Sequence, residues 1–188
     1  MLYIVPIFVI MPLILMGIML IAPSIVGKRI PPSFTKEKTQ ILNIAKNELF
    51  GLLIDYQNYP LWVKYLFQVK TERIGNEKIK IMQTYKKRKV YQELTEVRRI
   101  ENEKISEISI FKSEDEGVTL WTYILENFEN GKTKMTIRET MYIYHPYLRF
   151  MLKYILRDEN GKEEFFKNIK RFIRKNKNKN KKTIKNKR

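Results

Sequence analysis

The chain opens on an unbroken apolar run, MLYIVPIFVIMPLILMGIMLIAPSIVG, with no charged side chain from Met1 to Gly27. A run of this length suffices to cross a hydrocarbon core of about 30 Å as a helix. Pro6, Pro12 and Pro23 would break a soluble helix. Membrane helices tolerate proline better, so a kink is expected near Pro12. A secretory signal would carry an early positive charge and a small-residue cleavage site, and this run has neither. A buried core helix is disfavoured because the run is apolar on every face and ends in a linker. Residues 1–27 are therefore read as one uncleaved transmembrane helix.

After the run the pattern turns amphipathic. Lys28 to Ser33 (KRIPPS) reads as a short linker, stiffened by Pro31-Pro32. A folded domain is expected over 34–174. Phe34–Asn43 reads as a weak first strand. Over Ala45–Tyr56 the apolar residues Leu49, Leu52, Leu53 and Tyr56 recur at helical spacing. Asn58 and Pro60 open a second short helix with Leu61, Trp62, Tyr65 and Leu66 as its apolar face. The period then shortens to two. Phe67–Ile74, Lys78–Tyr85, Val90–Ile100, Lys104–Phe111, Val118–Asn127 and Lys132–Tyr144 read as strands, and the short breaks between them favour hairpins.

The C-terminal region returns to the helical period. Leu148, Met151, Leu152 and Ile155 form one stripe; Phe166, Ile169, Phe172 and Ile173 form another, in the same phase. The preserved phase predicts one continuous helix, or two nearly collinear ones, despite a cost of about 1 kcal/mol for Gly161. From residue 175 the chain reads NKNKNKKTIKNKR after Lys175 and is expected to be a disordered basic tail, 175–188. A seven-stranded antiparallel sheet with one apolar face needs a cover. The long helix would lie across it, with the two short helices closing one end.

The stretch Leu49-Phe50-Gly51-Leu52-Leu53-Ile54-Asp55-Tyr56-Gln57-Asn58-Tyr59-Pro60-Leu61-Trp62 resembles the V-F/W-x-L-L-x-D-x-x-N-Y-P-x-W pattern of the START-like (SRPBCC) superfamily. Gly161-Lys162, Phe165-Phe166 and Ile169-Lys170 resemble the end of the same family, which includes polyketide cyclase/dehydrase-like and coenzyme Q-binding-like proteins. Ile44-Ala45-Lys46-Asn47 departs from the family's usual Ala-Pro-Pro-Glu-type helix start. The layout is similar to that of membrane-anchored bacterial members. The resemblance covers 34–174 and implies an α+β helix-grip fold: a curved antiparallel sheet around the C-terminal helix, with a cavity between them for an apolar molecule. On physical grounds alone, Asp55 or Asn58 suits a turn, Pro60 fixes it, and Trp62 is a large core anchor whose indole N–H would seek a carbonyl.

Composition narrows the chemistry. There is no cysteine and one histidine, which excludes disulfides, thiolate metal sites, cysteine nucleophiles and multi-histidine metal centres. His145 precedes Pro146 as a turn or cap residue with no acid or serine beside it. Glu114-Asp115-Glu116 reads as a solvated turn. Among Glu126, Glu129 and Glu139, strand alternation leaves open whether Glu139 or Arg138 points inward. No metal, cofactor or catalytic set is assigned, and no phosphate-binding loop is present. Tyr85, Tyr91, Phe111, Trp121, Tyr123 and Met141 are the candidate cavity residues, though the same side chains would equally fill an ordinary core.

Net charge is +17, and the eleven Lys and Arg from Lys170 to Arg188 carry most of it, leaving +6 for residues 1–169. Such a tail is drawn to anionic lipid headgroups or, sequence-blind, to RNA, since it lacks interleaved aromatics for base stacking. Lys28 and Arg29 after the span place the domain in the cytoplasm by the positive-inside rule, against the outward alternative. The expected function is a single-pass, membrane-anchored, non-enzymatic binder of a lipid-like or other hydrophobic small molecule. The alternatives are a cyclase/dehydratase-type cavity enzyme and an RNA- or ribosome-interacting module.

Overall fold

The computed structural model describes residue 11 and residues 21–74, 78–86, 91–100, 104–110, 117–155 and 160–185. The side chains of residues 78, 91–100, 104–110, 160 and 179–185 are not among the described parts. Most of the expected membrane span, 1–10 and 12–20, lies outside them. Among the described residues no helix is long and apolar enough to cross a membrane. Residues 21–28 are helical (α1).

The chain then runs β1 (Ser33–Leu42), α2 (Lys46–Ile54), a 3₁₀ helix (Tyr56–Leu61), β2 (Leu66–Ile74), β3 (Lys78–Tyr85), β4 (Tyr91–Ile100), β5 (Lys104–Ile110), β6 (Gly117–Phe128), a short 3₁₀ turn (Glu129–Gly131), β7 (Lys132–Ile143), α3 (Pro146–Tyr154) and α4 (Asn160–Lys185). The strands make one seven-stranded sheet in the order β1-β7-β6-β5-β4-β3-β2. Strands β2 to β7 are a meander of antiparallel neighbours, as the short breaks require. The β6–β7 connection turns at Asn130 (φ 56°) and Gly131 (φ 68°), residue types that tolerate the left-handed region. Strand β1 pairs onto the far side of β7, from Ser33↔Tyr142 to Leu42↔Thr133. Strands β1 and β2 therefore lie at opposite edges, and α2 with the first 3₁₀ helix carries the chain between them.

Strand β1 is polar, as an edge strand should be. It is held by the hydroxyl pairs Thr35–Thr140 (3.2 Å) and Thr39–Thr136 (2.8 Å), by an Arg138–Glu37 ion pair, and by Lys38 donating to Glu163 of α4 at 3.0 Å. The core lies between one sheet face and α4. Met135 and Ile137 of β7 stand beside Leu125 and Tyr123 of β6, and Phe165, Phe166, Ile169 and Ile173 of α4 pack onto them. Helix α2 closes the end through Leu49, Phe50 and Leu53.

Trp62 is buried and Pro60 half-buried at this helix–sheet junction. The second short helix differs from its expected form. It is 3₁₀, with three residues per turn, so Tyr56, Tyr59 and Trp62 face the core while Leu61 is 74% exposed and Leu66 starts β2. Their rings form a chain, with Tyr59 to Trp62 at 4.7 Å and Trp62 to Phe165 at 5.4 Å between centroids. Tyr59 donates its hydroxyl to Leu53 O at 2.6 Å. Asn58 donates its side-chain amide to the Asp55 carboxylate at 2.8 Å; neither residue caps a helix through its side chain. The Trp62 indole N–H has no hydrogen-bond partner among the described residues, so the expected carbonyl is not found there.

Two further differences concern the C-terminal region. Of the two expected forms the region takes two helices, with residues 156–159 outside the described part; the difference is that only the second stripe enters the core. Helix α3 is held elsewhere: the Arg149 guanidinium donates to Ile143 O (2.8 Å), Tyr144 O (2.9 Å) and Ile30 O (3.3 Å). The tail expected to be disordered continues α4 as helix through Lys185. It has no proline or glycine, and a helix already nucleated by core packing needs no new nucleus to extend, although each Asn and Thr costs up to about 0.7 kcal/mol relative to Ala.

Candidate functional site

The inner sheet face is not uniformly dry. Along β6 the inward residues run Leu125, Tyr123, Trp121 and Thr119; opposite them on β7 run Met135, Ile137, Glu139 and Met141. Leu125, Tyr123, Met135 and Ile137 are buried under α4, while Trp121 and Met141 keep part of their surface open. Ile79 and Tyr85 of β3 are likewise only partly buried against the core. Tyr123 stacks on Phe165 of α4 at 5.6 Å between centroids. Toward Trp121 the helix no longer seals the sheet.

At that transition sits a charged pair. Glu139 faces inward and Arg138 outward, which settles the alternation. Lys162, near the start of α4, donates to Glu139 Oε2, and the two side chains are only 6% and 16% exposed. Trp121 Nε1 donates to Glu139 Oε1 at 3.2 Å, and Lys162 Nζ lies 5.9 Å from the Trp121 ring centroid. Both carboxylate oxygens thus accept a donor, and the cation also faces an aromatic ring. Such satisfaction is what burial of the charges demands. Thr119 Oγ1, buried on the same face, has no hydrogen-bond partner among the described residues.

A second polar set lies on β3. Tyr85 donates its hydroxyl to Gln83 Oε1 at 3.2 Å and stacks on Tyr65 at 5.9 Å, and burial pushes its phenol above the ordinary tyrosine value. Gln83 is buried, and strand register puts it on the face shared with Ile81 and Val69. The inner face therefore offers apolar and aromatic surface with a few fixed polar groups, which is the composition of a small-molecule site.

Of the six candidate cavity residues, the structure brings Trp121, Tyr123 and Met141 onto the β6–β7 part of this face and Tyr85 onto β3. Tyr123 is core, locked under Phe165. Tyr91 pairs with Thr84 in the register, and its side chain is outside the described parts; Phe111 lies outside the described residues altogether. The sequence reading missed Lys162 and Gln83. Lys162 had a usable signal: with Phe166, Ile169 and Ile173 it falls at i, i+4, i+7 and i+11, inside the apolar stripe. His145 is exposed at the N-cap of α3, with no side-chain capping bond. Glu126 is exposed and paired with Lys134 at 2.8 Å. No group of acids and histidines suited to a metal occurs among the described residues.

The sequence matches no family model and no curated protein. Solved structures do match its fold. Norcoclaurine synthase from Thalictrum flavum superposes with a TM-score of 0.61 at 6% identity, over 79% of this chain and 91% of that one. The Zhui aromatase/cyclase from Streptomyces sp. R1128 gives 0.57 at 10% identity, over 73% and 91%. The di-domain aromatase/cyclase StfQ gives 0.59 at 13% identity over 78% of this chain, which spans about half the length of StfQ (52%).

Proposed function

We propose, taking the START-like helix-grip fold as premise, that the protein binds a hydrophobic small molecule on the open part of its inner sheet face. The ligand's polar end would meet the Glu139–Lys162 pair. The observation that carries this reading is the break in burial along β6 and β7. Tyr123 and Ile137 are sealed, yet two residues further along each strand Trp121 and Glu139 keep open surface beside a buried cation. A core built only for stability would continue apolar and closed, because a buried ion pair contributes little over packed hydrophobic residues. That neighbours of the same fold are aromatase/cyclases and a synthase is in keeping with a concave face that accepts small molecules.

In this reading residues 1–27 hold the protein at the membrane in a single pass, with the domain on the cytoplasmic side set by Lys28 and Arg29. Organic extraction of the purified full chain, followed by mass spectrometry, tests the ligand. A hydrophobic molecule recovered in near-stoichiometric amount is expected; retained RNA and no such molecule would overturn the proposal. A reporter fused after Arg188 tests the topology and should be active only in its cytoplasmic sense.

The cyclase/dehydratase-type reading draws on the same pair, since a carboxylate and an ammonium are acid–base groups. Here each already satisfies the other, and Trp121 occupies the second carboxylate oxygen. Proton transfer to a ligand would first require opening the pair. The geometry favours binding over turnover.

A further inference from the structure

Helix α3 is amphipathic, and among the described residues its apolar side is only partly covered: Leu148, Met151 and Leu152 are half-buried and Ile155 is exposed. Its sequence PYLRFMLKY, followed by Ile155, carries Leu148, Met151, Leu152 and Ile155 at helical spacing, and none of its residues is buried. Tyr144, Tyr154 and Ile155 are 52%, 50% and 58% exposed. From Met141 to Ile155 there is no acid, whereas Arg149 and Lys153 are present. Exposed Tyr, apolar aliphatic side chains and cations without acids form the mixture found where protein meets a membrane–water interface.

The position of α3 is tied to the apolar N-terminal run. Helix α1 ends against it so closely that a Cβ on Gly27 would lie 1.8 Å from Pro146 O. Arg149 reaches the Ile30 carbonyl, Ile30 itself is buried, and Ile143 N donates to Pro32 O at 2.7 Å. The linker is therefore fastened to the β7–α3 corner, and does not swing freely as a spacer. On α1, Ile21, Ile25 and Val26 are exposed, which continues the apolar surface toward the run. A nine-residue helix is about 14 Å long. All of α3 thus lies within that distance of the point where the uncharged run ends.

We infer that α3 lies in the membrane–water interface, with Leu148, Met151, Leu152 and Ile155 in the acyl boundary and Lys28, Arg29 and Lys153 among anionic headgroups. This rests on the anchor reading of residues 1–27. It fixes the domain's orientation: the β7–α3 corner faces the bilayer. The start of α2, held by Thr133 Oγ1 donating to Ile44 O at 2.7 Å, is at the opposite end of the twelve-residue β7, about 33 Å away.

The absence of native cysteine permits single labels. Spin labels are placed in the full chain at Leu15→Cys, Asn47→Cys and Ile155→Cys, in vesicles containing anionic lipid. Collision with oxygen is then compared with collision with a water-soluble nickel complex. The inference predicts an oxygen-to-nickel ratio several-fold higher at 155 than at 47, approaching that at 15. A water-like ratio at 155 with a lipid-like ratio at 15 overturns the inference and leaves the anchor standing. A water-like ratio at 15 overturns the anchor reading itself. Protection of 155 from both reagents would show a second protein surface covering α3, and would also overturn the inference.

Discussion

Helices α3 and α4 carry apolar stripes of similar strength and the same phase, yet the protein uses them differently. Phe165, Phe166, Ile169 and Ile173 of α4 disappear into the sheet, while Leu148, Met151, Leu152 and Ile155 of α3 remain in partial contact with solvent. The difference teaches that periodicity identifies a helix face but not what covers it. For α4 the cover is β6 and β7. For α3, fastened by Arg149 to the strand end and the linker, the protein itself supplies only a partial cover.

Substitutions should separate the two helices most sharply through stability. Phe166→Ala removes a fully buried ring and is expected to cost about 3–5 kcal/mol in denaturant unfolding of the full chain in detergent. Trp62→Ala, at the junction that α4 closes, should fall in the same range. Leu152→Ala in α3 should cost less than about 1 kcal/mol under those conditions. Equal losses at 152 and 166 would erase the contrast.

The ion pair at the start of α4 gives the next effect. Lys162→Met leaves the Glu139 carboxylate buried without its cation and should destabilise by roughly 3 kcal/mol. The double variant Glu139→Met/Lys162→Met should recover most of that loss, because the charge and its counter-charge leave together. A double variant as unstable as the sum of the singles would show that the two side chains act independently.

The smallest effect is at the exposed side of α4. The hydrogen bond and charge of Lys38 hold the Glu163 carboxyl below the usual carboxylate range. A lowered folded value means that the native state keeps Glu163 ionised where the unfolded chain would protonate it. The contribution is therefore present above the ordinary carboxyl value and lost as pH falls through the lowered one. Because the pair is exposed, Lys38→Met should flatten acid unfolding only slightly, and no change would count the pair as neutral.

Much of this architecture was legible in the sequence for physical reasons. The hairpin meander followed from period-two segments joined by short polar breaks, and α2 from its Leu49, Leu52 and Leu53 spacing, while the expected extension to Tyr56 breaks at Asp55 into the 3₁₀ helix. The polar end of the site was less legible. Residues 138–140 of β7 are Arg-Glu-Thr, polar on both faces, so alternation alone could not choose the inward one. The choice depends on the Trp121↔Glu139 register and on a lysine twenty-three residues away, a long-range pairing with no local signature. The C-terminal stripe left one helix or two open because it kept its phase across Gly161, and it could not tell which half the sheet covers.

The central claim is that a hydrophobic ligand occupies the inner face beside Glu139 and Lys162. Photo-crosslinking of the full chain in vesicles with a diazirine-bearing long-chain alcohol, mapped by peptide mass spectrometry, tests it directly. Adducts within residues 119–125 and 135–141, competed away by excess unreactive alcohol, are the predicted result. Labelling confined to residues 1–27 and α3, with none on those strands, would contradict the account.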